Sequence, residues 1–523
     1  GYRKLTGKAA MLPKWAFGYI QSQERYETQE EILEIAGEYD RRNLGLDCVV
    51  LDWCSWEGNQ WGQKSLDKNR FPQPVEMTES LHRDYQVHFM LSIWANPGDT
   101  SDDDREFKEA GLLLPADNSY NAYLPEAREM YWQQAKRGLF DKGVDAWWCD
   151  NSEPYAPEWT VPVKPEPSRL FDMYCKEAGS HLPALEMNSY AFYHAMGVYE
   201  GQRSTGSEKR VFNLTRSGHT GQQRFGTVLW SGDISATWET YRRQIATGLG
   251  LCASGMPYWT VDIGAFFVKS GNMWYWKGDY DKTTEDLGYA ELFTRWYQWG
   301  AFLPIFRGHG TDCRREIWMF EHTPFYEALL AANRLRYELM PYIYSLAGRT
   351  WLNDESMMRY LAFDYPTDEV ACKIKDQYLF GDFLMVCPVT NPMYYGVNSV
   401  VLEGMAKTRK VYLPEGLWYD FYTNTYFEER LGRNDFEPIE DKTSLGSSHA
   451  YLMKYIEKSG EKIVYSKGLP QYFISDIMDD DIVCTFGQED KKLLLFDDFT
   501  CWDEGCYMGQ VSSEVIKQMR KAN

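Results

Sequence analysis

The stretch that decides the reading is Val144-Asp145-Ala146-Trp147-Trp148-Cys149-Asp150-Asn151-Ser152-Glu153-Pro154. An apolar, β-prone run stops on an aspartate, and a glutamate-proline pair follows. A second such place is Thr227-Val228-Leu229-Trp230-Ser231-Gly232-Asp233. Each is a short buried-looking strand that ends in a carboxylate with tryptophan beside it. Two carboxylates so placed suit cleavage of a glycosidic bond, one attacking the sugar carbon and the other protonating the leaving oxygen. Neighbouring indoles would stack on sugar rings and exclude water.

Working outward, strand-like and helix-like segments alternate over the first 310 or so residues. Strands are expected at Trp15–Gln21, Leu46–Trp53, Val87–Trp94, Val144–Asp150, Arg210–Arg216, Thr227–Gly232, Met256–Asp262 and Phe302–Arg307. Between them, Thr28-Gln29-Glu30-Glu31 reads as a capping box opening a helix that carries Ile32, Leu33, Ile35, Ala36 and Tyr39. Val75–Tyr85, Glu126–Lys142 and Thr237–Gly250 read as further helices. Eight β-then-α units favour a closed (β/α)8 TIM barrel, and no GxGxxG follows a strand to suggest a nucleotide fold. In a barrel the site forms where strands end. Asp52, Trp94, Asp150, Arg216, Asp233, Asp262 and His309 all fall there.

After about residue 350 the texture changes to short runs separated by Gly, Pro and Asn. Gln377–Val389, Ser399–Leu402, Lys410–Leu413 and Leu417–Tyr422 read as strands of a β-rich, sandwich-like C-terminal region. The division expected is 1–350 for the catalytic barrel, 351–427 for a proximal β-domain and 428–523 for a distal region of weak pattern, with a strand at Lys492–Phe496.

Composition narrows the partners. The formal net charge of −21 disfavours nucleic acid and anionic membrane surfaces. With 20 Trp, 37 Tyr and 26 Phe, aromatic surface is ample for carbohydrate stacking as well as for a core. Eleven cysteines are scattered without a CxxC pair, and Cys48, Cys149 and Cys387 lie within apolar strands. That pattern reads as reduced thiols in a cytoplasmic protein. No run of about 18 apolar residues occurs, and no signal peptide is visible. The acidic run Ser101-Asp102-Asp103-Asp104 reads as a solvated helix start rather than a calcium site.

Five blocks resemble glycoside hydrolase family 31, the retaining α-glucosidases and α-xylosidases. They are Leu51-Asp52-Trp53; Trp147 to Asp150 with Glu153-Pro154; Thr215-Arg216-Ser217 through Gly221-Gln222-Gln223-Arg224-Phe225; Trp230-Ser231-Gly232-Asp233; and Asp262-Ile263-Gly264 followed by Phe306-Arg307-Gly308-His309. The resemblance implies Asp150 as nucleophile and Asp233 as general acid/base. It implies Asp52, Arg216 and His309 as sugar-binding groups, with Trp53, Trp94, Trp148, Trp230 and Asp262 lining the pocket. Glu153 reads as loop support, Arg224 equally as ligand or brace, and Trp56, Trp61 and Trp274-Tyr275-Trp276 as an aromatic lid or plain packing. No metal or cofactor is implied. The resemblance implies an N-terminal β-sandwich ahead of the barrel, and with the barrel beginning by about residue 12 that domain is expected to be either removed or lacking here. An arginine near Asp150 is expected to hold its pKa down, and a dry setting near Trp230 to raise that of Asp233.

The expected activity is hydrolysis of a terminal α-linked sugar through a glycosyl-aspartate, by a retaining exo-acting enzyme. The segment Asp52-Trp53-Cys54-Ser55-Trp56, with Trp61-Gly62 and Arg70-Phe71-Pro72 after it, is more similar to the α-xylosidase branch than to the starch-type enzymes. α-Glucoside, α-galactoside and N-acetyl-α-galactosaminide are the alternative substrates. A transglycosylase and a non-catalytic sugar-binding protein are the alternatives of another class. The resemblance also allows a homo-oligomer.

Overall fold

The computed structural model describes residues 1–157, 161, 165–271, 277–405 and 407–421, and the strands Tyr426–Glu429, Glu437–Glu440 and Leu452–Tyr455. The Trp274-Tyr275-Trp276 cluster, the Lys492–Phe496 strand and nearly all of the distal region lie outside the described residues.

Seven parallel strands form one curled sheet: β1 (Tyr19–Gln21), β2 (Cys48–Leu51), β3 (His88–Trp94), β4 (Ala146–Asp150), β5 (Asn213–Thr215), β6 (Thr227–Leu229) and β7 (Phe306–Gly308), in the order β6-β5-β4-β3-β2-β1-β7. The gap between β6 and β7 is sealed by residues 258–263. These residues contribute single parallel bridges, Leu229 to Trp259 and Ile263 to Gly308. The strand expected at Met256–Asp262 is therefore not a regular strand. Pro257 has no N–H to give; the stave is held by the Leu229 N–H on the Tyr258 carbonyl and the Thr260 N–H on the Leu229 carbonyl on one side, and by the Ile305 N–H on the Trp259 carbonyl and the Ile263 N–H on the Arg307 carbonyl on the other. The eight staves still close into the (β/α)8 barrel.

Each strand that builds the site obeys a period of two. In β4, Trp147 points outward, packing edge-on to Trp132 of the helix Pro125–Gly138 and donating its indole N–H to Gln202. Trp148 and Asp150 then face the barrel axis. The helices lie outside. Thr28 caps the helix Gln29–Arg41 by accepting from the Glu31 N–H, while the Glu31 carboxylate accepts from the Glu27 N–H rather than from that of Thr28. Ser101 caps Asp102–Ala110 in the same way. The acidic start of that helix is not solvated as expected. Asp102 is exposed, but Asp103 and Asp104 are buried: the Asp103 carboxylate accepts from both the backbone N–H and the ammonium of buried Lys64, and the Asp104 carboxylate pairs with Lys108 at 2.8 Å.

The C-terminal region is an antiparallel β-structure that docks on the helix Leu287–Gly300, buried from Gly288 onward. The Glu291 carboxylate of that helix accepts the backbone N–H groups of Met393, Tyr394 and Tyr395. Asp286 accepts those of Asn398 and Ser399. The run Gln377–Val389, expected as one strand, is two, Tyr378–Phe380 and Leu384–Val386. Gly381, at φ 66°, turns the chain back on itself. Among the described residues no helix is long and apolar enough to cross a membrane, and all eight described cysteines are free.

Candidate active site

The carboxyl ends of β2 to β7 supply the candidate residues, each delivered by a strand that stops abruptly. Asn151 (φ 48°) and Gly232 (φ 70°) sit in the left-handed region and break the extended chain immediately beside Asp150 and Asp233. Asp150, the last residue of β4, keeps 15 % of its side chain accessible.

Arg216, just beyond β5, is the cationic centre. Its Nη1 lies 3.8 Å from Asp150 Oδ1, and its Nε donates to both Glu153 oxygens at 3.0 and 3.1 Å. Ser217 also donates to Glu153. Glu153 is thus occupied in holding Arg216 beside Asp150. Arg224 lies elsewhere. Its guanidinium covers the Phe192 and Phe225 rings and donates to the Gly221 carbonyl, so it braces the loop after β5.

The floor is built around Arg307 of β7, which the sequence reading placed only within a motif. Arg307 is fully buried, pairs with Asp262, and lies 4.8 Å above the Trp148 ring. Trp148 meets Trp230 edge-on at 5.3 Å and His309 at 4.7 Å. The His309 Nδ1 is 2.7 Å from the Ser22 hydroxyl, and its Nε2 is 3.8 Å from Asp52 Oδ2. Several polar atoms of this floor are buried and unpartnered: the indole N–H groups of Trp94, Trp148 and Trp230, the Ser231 hydroxyl, Asp262 Oδ2 and Arg307 Nη1. Hydrogen-bonding groups left open in one place are what a polyhydroxylated ligand requires.

The mouth is aromatic. Trp61 meets Trp53 at 5.4 Å and Trp94 at 5.2 Å, and packs on Trp56 at 5.9 Å. Trp53 is fixed by its indole N–H to Glu24 at 3.0 Å. Glu24 was not anticipated, although it follows the end of β1, where strand-end reasoning applies equally.

The electrostatics separate the acids. Burial, then the charge of Asp150, pushes Asp233 up to about 7 against the pull of Arg216. Burial also raises Asp150, with Arg216 opposing it and Glu153 adding to it. The arginine therefore moderates the Asp150 pKa without bringing it below the ordinary value. The reason is that the pocket concentrates carboxylates away from water. Asp52 is raised well above the usual range by burial and by Asp150, and Asp262 rises to about 6 by burial despite Arg307. His309 is driven well below its ordinary value by burial and the nearby guanidinium groups, so it is neutral. The direction of the Ser22–Nδ1 hydrogen bond sets the ring tautomer, and with it whether Nε2 presents a proton toward Asp52.

The sequence profile of the Glycosyl hydrolases family 31 TIM-barrel domain matches residues 9–346, and that of the family's C-terminal domain matches residues 354–451. The chain belongs to glycosyl hydrolase family 31. It is 39% identical over 429 residues to an α-xylosidase of Saccharolobus solfataricus, covering 82% of this chain and 54% of that protein. A crystal structure of the family 31 α-xylosidase of Xanthomonas citri superposes with a TM-score of 0.74 at 37% identity, covering 87% of this chain and 48% of that one. A soil-metagenome α-xylosidase complexed with xylose gives 0.70 at 29% identity, covering 86% of this chain and 64% of that one. Relatives named α-glucosidase also match. The family 31 chain spans about half the length of the S. solfataricus relative.

Proposed function

We propose that this family 31 chain hydrolyses a terminal α-linked sugar with retention, and that the sugar is xylose. Asp150 attacks the anomeric carbon while Asp233 gives its proton to the leaving oxygen. Asp233 then takes a proton from the water that releases the sugar from Asp150. One observation carries the reading: Asp150 and Asp233, after alternate strands of one barrel, respond to the same arginine, and Asp233 is held at about 7, where it keeps its proton near neutrality. Asp52, His309 and the open groups of Trp148, Trp230 and Asp262 bind the sugar hydroxyls, and Trp94 and Trp53 wall the pocket.

Two things support xylose. Two relatives, 39% and 37% identical, are named α-xylosidases. Trp53, pinned by Glu24, is a bulky wall against which a hydroxymethyl group at C5 would be crowded. Turnover of nitrophenyl α-xyloside, α-glucoside and N-acetyl-α-galactosaminide tests the choice, and a chain that cleaves the glucoside but not the xyloside refutes it. The Trp53, Trp61 and Trp94 rings at the mouth favour transglycosylation as the second reading, which product analysis with added acceptor sugar decides. We assign residues 1–350 to the barrel, 351–427 to a proximal β-domain and 428–523 to a distal region. The free cysteines support a reducing compartment such as the cytoplasm.

A further inference from the structure

At the opposite end of the barrel from the carboxylates, three ligating side chains converge: His82 near the end of the helix Pro74–Asp84, His88 at the start of β3, and Asp145 immediately before β4. Asp145 and Asp150 bracket one strand, which sets the two places about 16 Å apart at 3.3 Å per residue. His82 Nε2 is 2.6 Å and His88 Nδ1 3.5 Å from the same oxygen, Asp145 Oδ2, and all three atoms lie within 4.8 Å of one another. This is the one such group among the described residues.

The cluster is held in place before any ligand arrives. Trp15 stacks on the His88 ring at 4.7 Å with the planes 20° apart, which fixes its orientation. The Phe89 N–H donates to Asp145 Oδ2 at 2.9 Å, and the Lys209 ammonium contacts the other oxygen, Oδ1, at 2.7 Å. His88 Nδ1 is itself buried and makes no hydrogen bond to the described residues. The His82 and His88 rings are each 34% exposed, while Asp145 and the His88 Nδ1 atom are buried, so the cluster lies just beneath the surface.

We propose that His82, His88 and Asp145 form a divalent transition-metal site, with zinc as the fitting ion. Two imidazoles and one carboxylate are a borderline donor set that suits zinc better than calcium or magnesium, which want oxygen. A tetrahedral ion with bonds of about 2.0–2.1 Å needs its ligand atoms about 3.3 Å apart. The His82 nitrogen would draw back from Asp145, from 2.6 Å, while His88 at 3.5 Å is near that spacing, and the two imidazoles, within 4.8 Å of each other, would close toward it. Water completes the fourth position. Lys209 on Oδ1 plays the part of an outer partner that orients the carboxylate, and its charge keeps the affinity moderate. The ion would clamp the helix before β3 to the starts of β3 and β4, a structural role independent of turnover.

The test is calorimetric titration of the chelator-treated full chain with zinc chloride, alongside melting curves. The site predicts one equivalent bound and a raised melting temperature. His82→Ala and His88→Ala should each weaken binding by about tenfold or more, since even outer-shell changes cost 10–100-fold. Cobalt(II) bound to the unmutated chain should give a visible spectrum of nitrogen and oxygen ligation, which keeps the proposal decidable if a variant folds poorly. The proposal is overturned by no zinc binding, by binding unchanged in both variants, or by a thiolate charge-transfer band placing the metal on cysteine.

Discussion

Replacing Arg216 by methionine removes the guanidinium 3.8 Å from Asp150 and leaves the side-chain volume nearly intact. At that distance and an effective dielectric constant of about 20, the lost attraction is about 4 kcal/mol, an upper figure equivalent to about 3 pKa units. Both side chains retain some exposure, 21% for Arg216 and 15% for Asp150, so a shift of about 1–3 units is expected. Glu153, deprived of its partner, adds to the rise with its own charge. The acid limb of the kcat/KM profile, which reports ionisation of the free nucleophile, should move up by that amount. The alkaline limb should follow in the same direction, because Arg216 also lowers Asp233. Arg216→Lys keeps the charge but loses the fork, and should lower the rate while leaving the limbs nearly in place. The assay is initial-rate kinetics on an aryl α-xyloside across the pH range. If Arg216→Met lowers the height of the profile and both limbs stay within about half a unit, Arg216 only binds sugar and the electrostatic reasoning fails.

Other expectations follow from the same geometry. In the unmodified chain, kcat/KM should fall as pH rises through about 7, where Asp233 loses its proton; a flat profile to pH 9 would remove Asp233 as the acid. Asp233→Asn should stabilise the fold at pH 8 by up to about 4 kcal/mol. The sign follows from a folded pKa raised from 3.8 to about 7, so the cost of charging the buried carboxyl develops between those values and vanishes below about 3.8. Calorimetry at pH 8 and pH 3.5 checks it. Gly232→Ala should cost about 1 kcal/mol from its positive φ alone, since an added Cβ would find its nearest atom, Arg216 Cδ, at 3.7 Å. Gly248→Ala, whose Cβ would fall 2.2 Å from the buried Trp259 ring, should cost more, and denaturant titration orders the two.

What could be read from the chain was whatever one strand encodes by itself. An apolar run cut short by Asp150 or Asp233 is visible because burial and ionisation conflict at one residue, and the fold must resolve that conflict at a strand end. The eighth stave was misread as regular because Met256–Asp262 has the right residues, while the ladder depends on which N–H groups the neighbouring strands offer. The Gln377–Val389 run hid a reversal, because Gly381 was counted as a strand residue and not as a turn. Asp103 looked solvated within a charged run, and its burial depends on Lys64, distant in sequence and adjacent in space. Arg307 and Glu24 were passed over for a related reason. Their neighbours are Asp262 and Trp53 in the folded barrel, and nothing local in the sequence announces those contacts. The raised pKa of Asp150 likewise needs the whole ring of acids, not the single arginine beside it.

The central claim is that Asp150 forms the covalent intermediate, and trapping tests it most directly. The folded chain would be incubated with 5-fluoro-α-xylosyl fluoride, weighed intact and mapped by peptide. The account predicts one added sugar, carried by the peptide containing Asp150 and absent in Asp150→Asn. An adduct on Glu153, or no adduct from a folded chain that turns over an aryl α-xyloside, would contradict it.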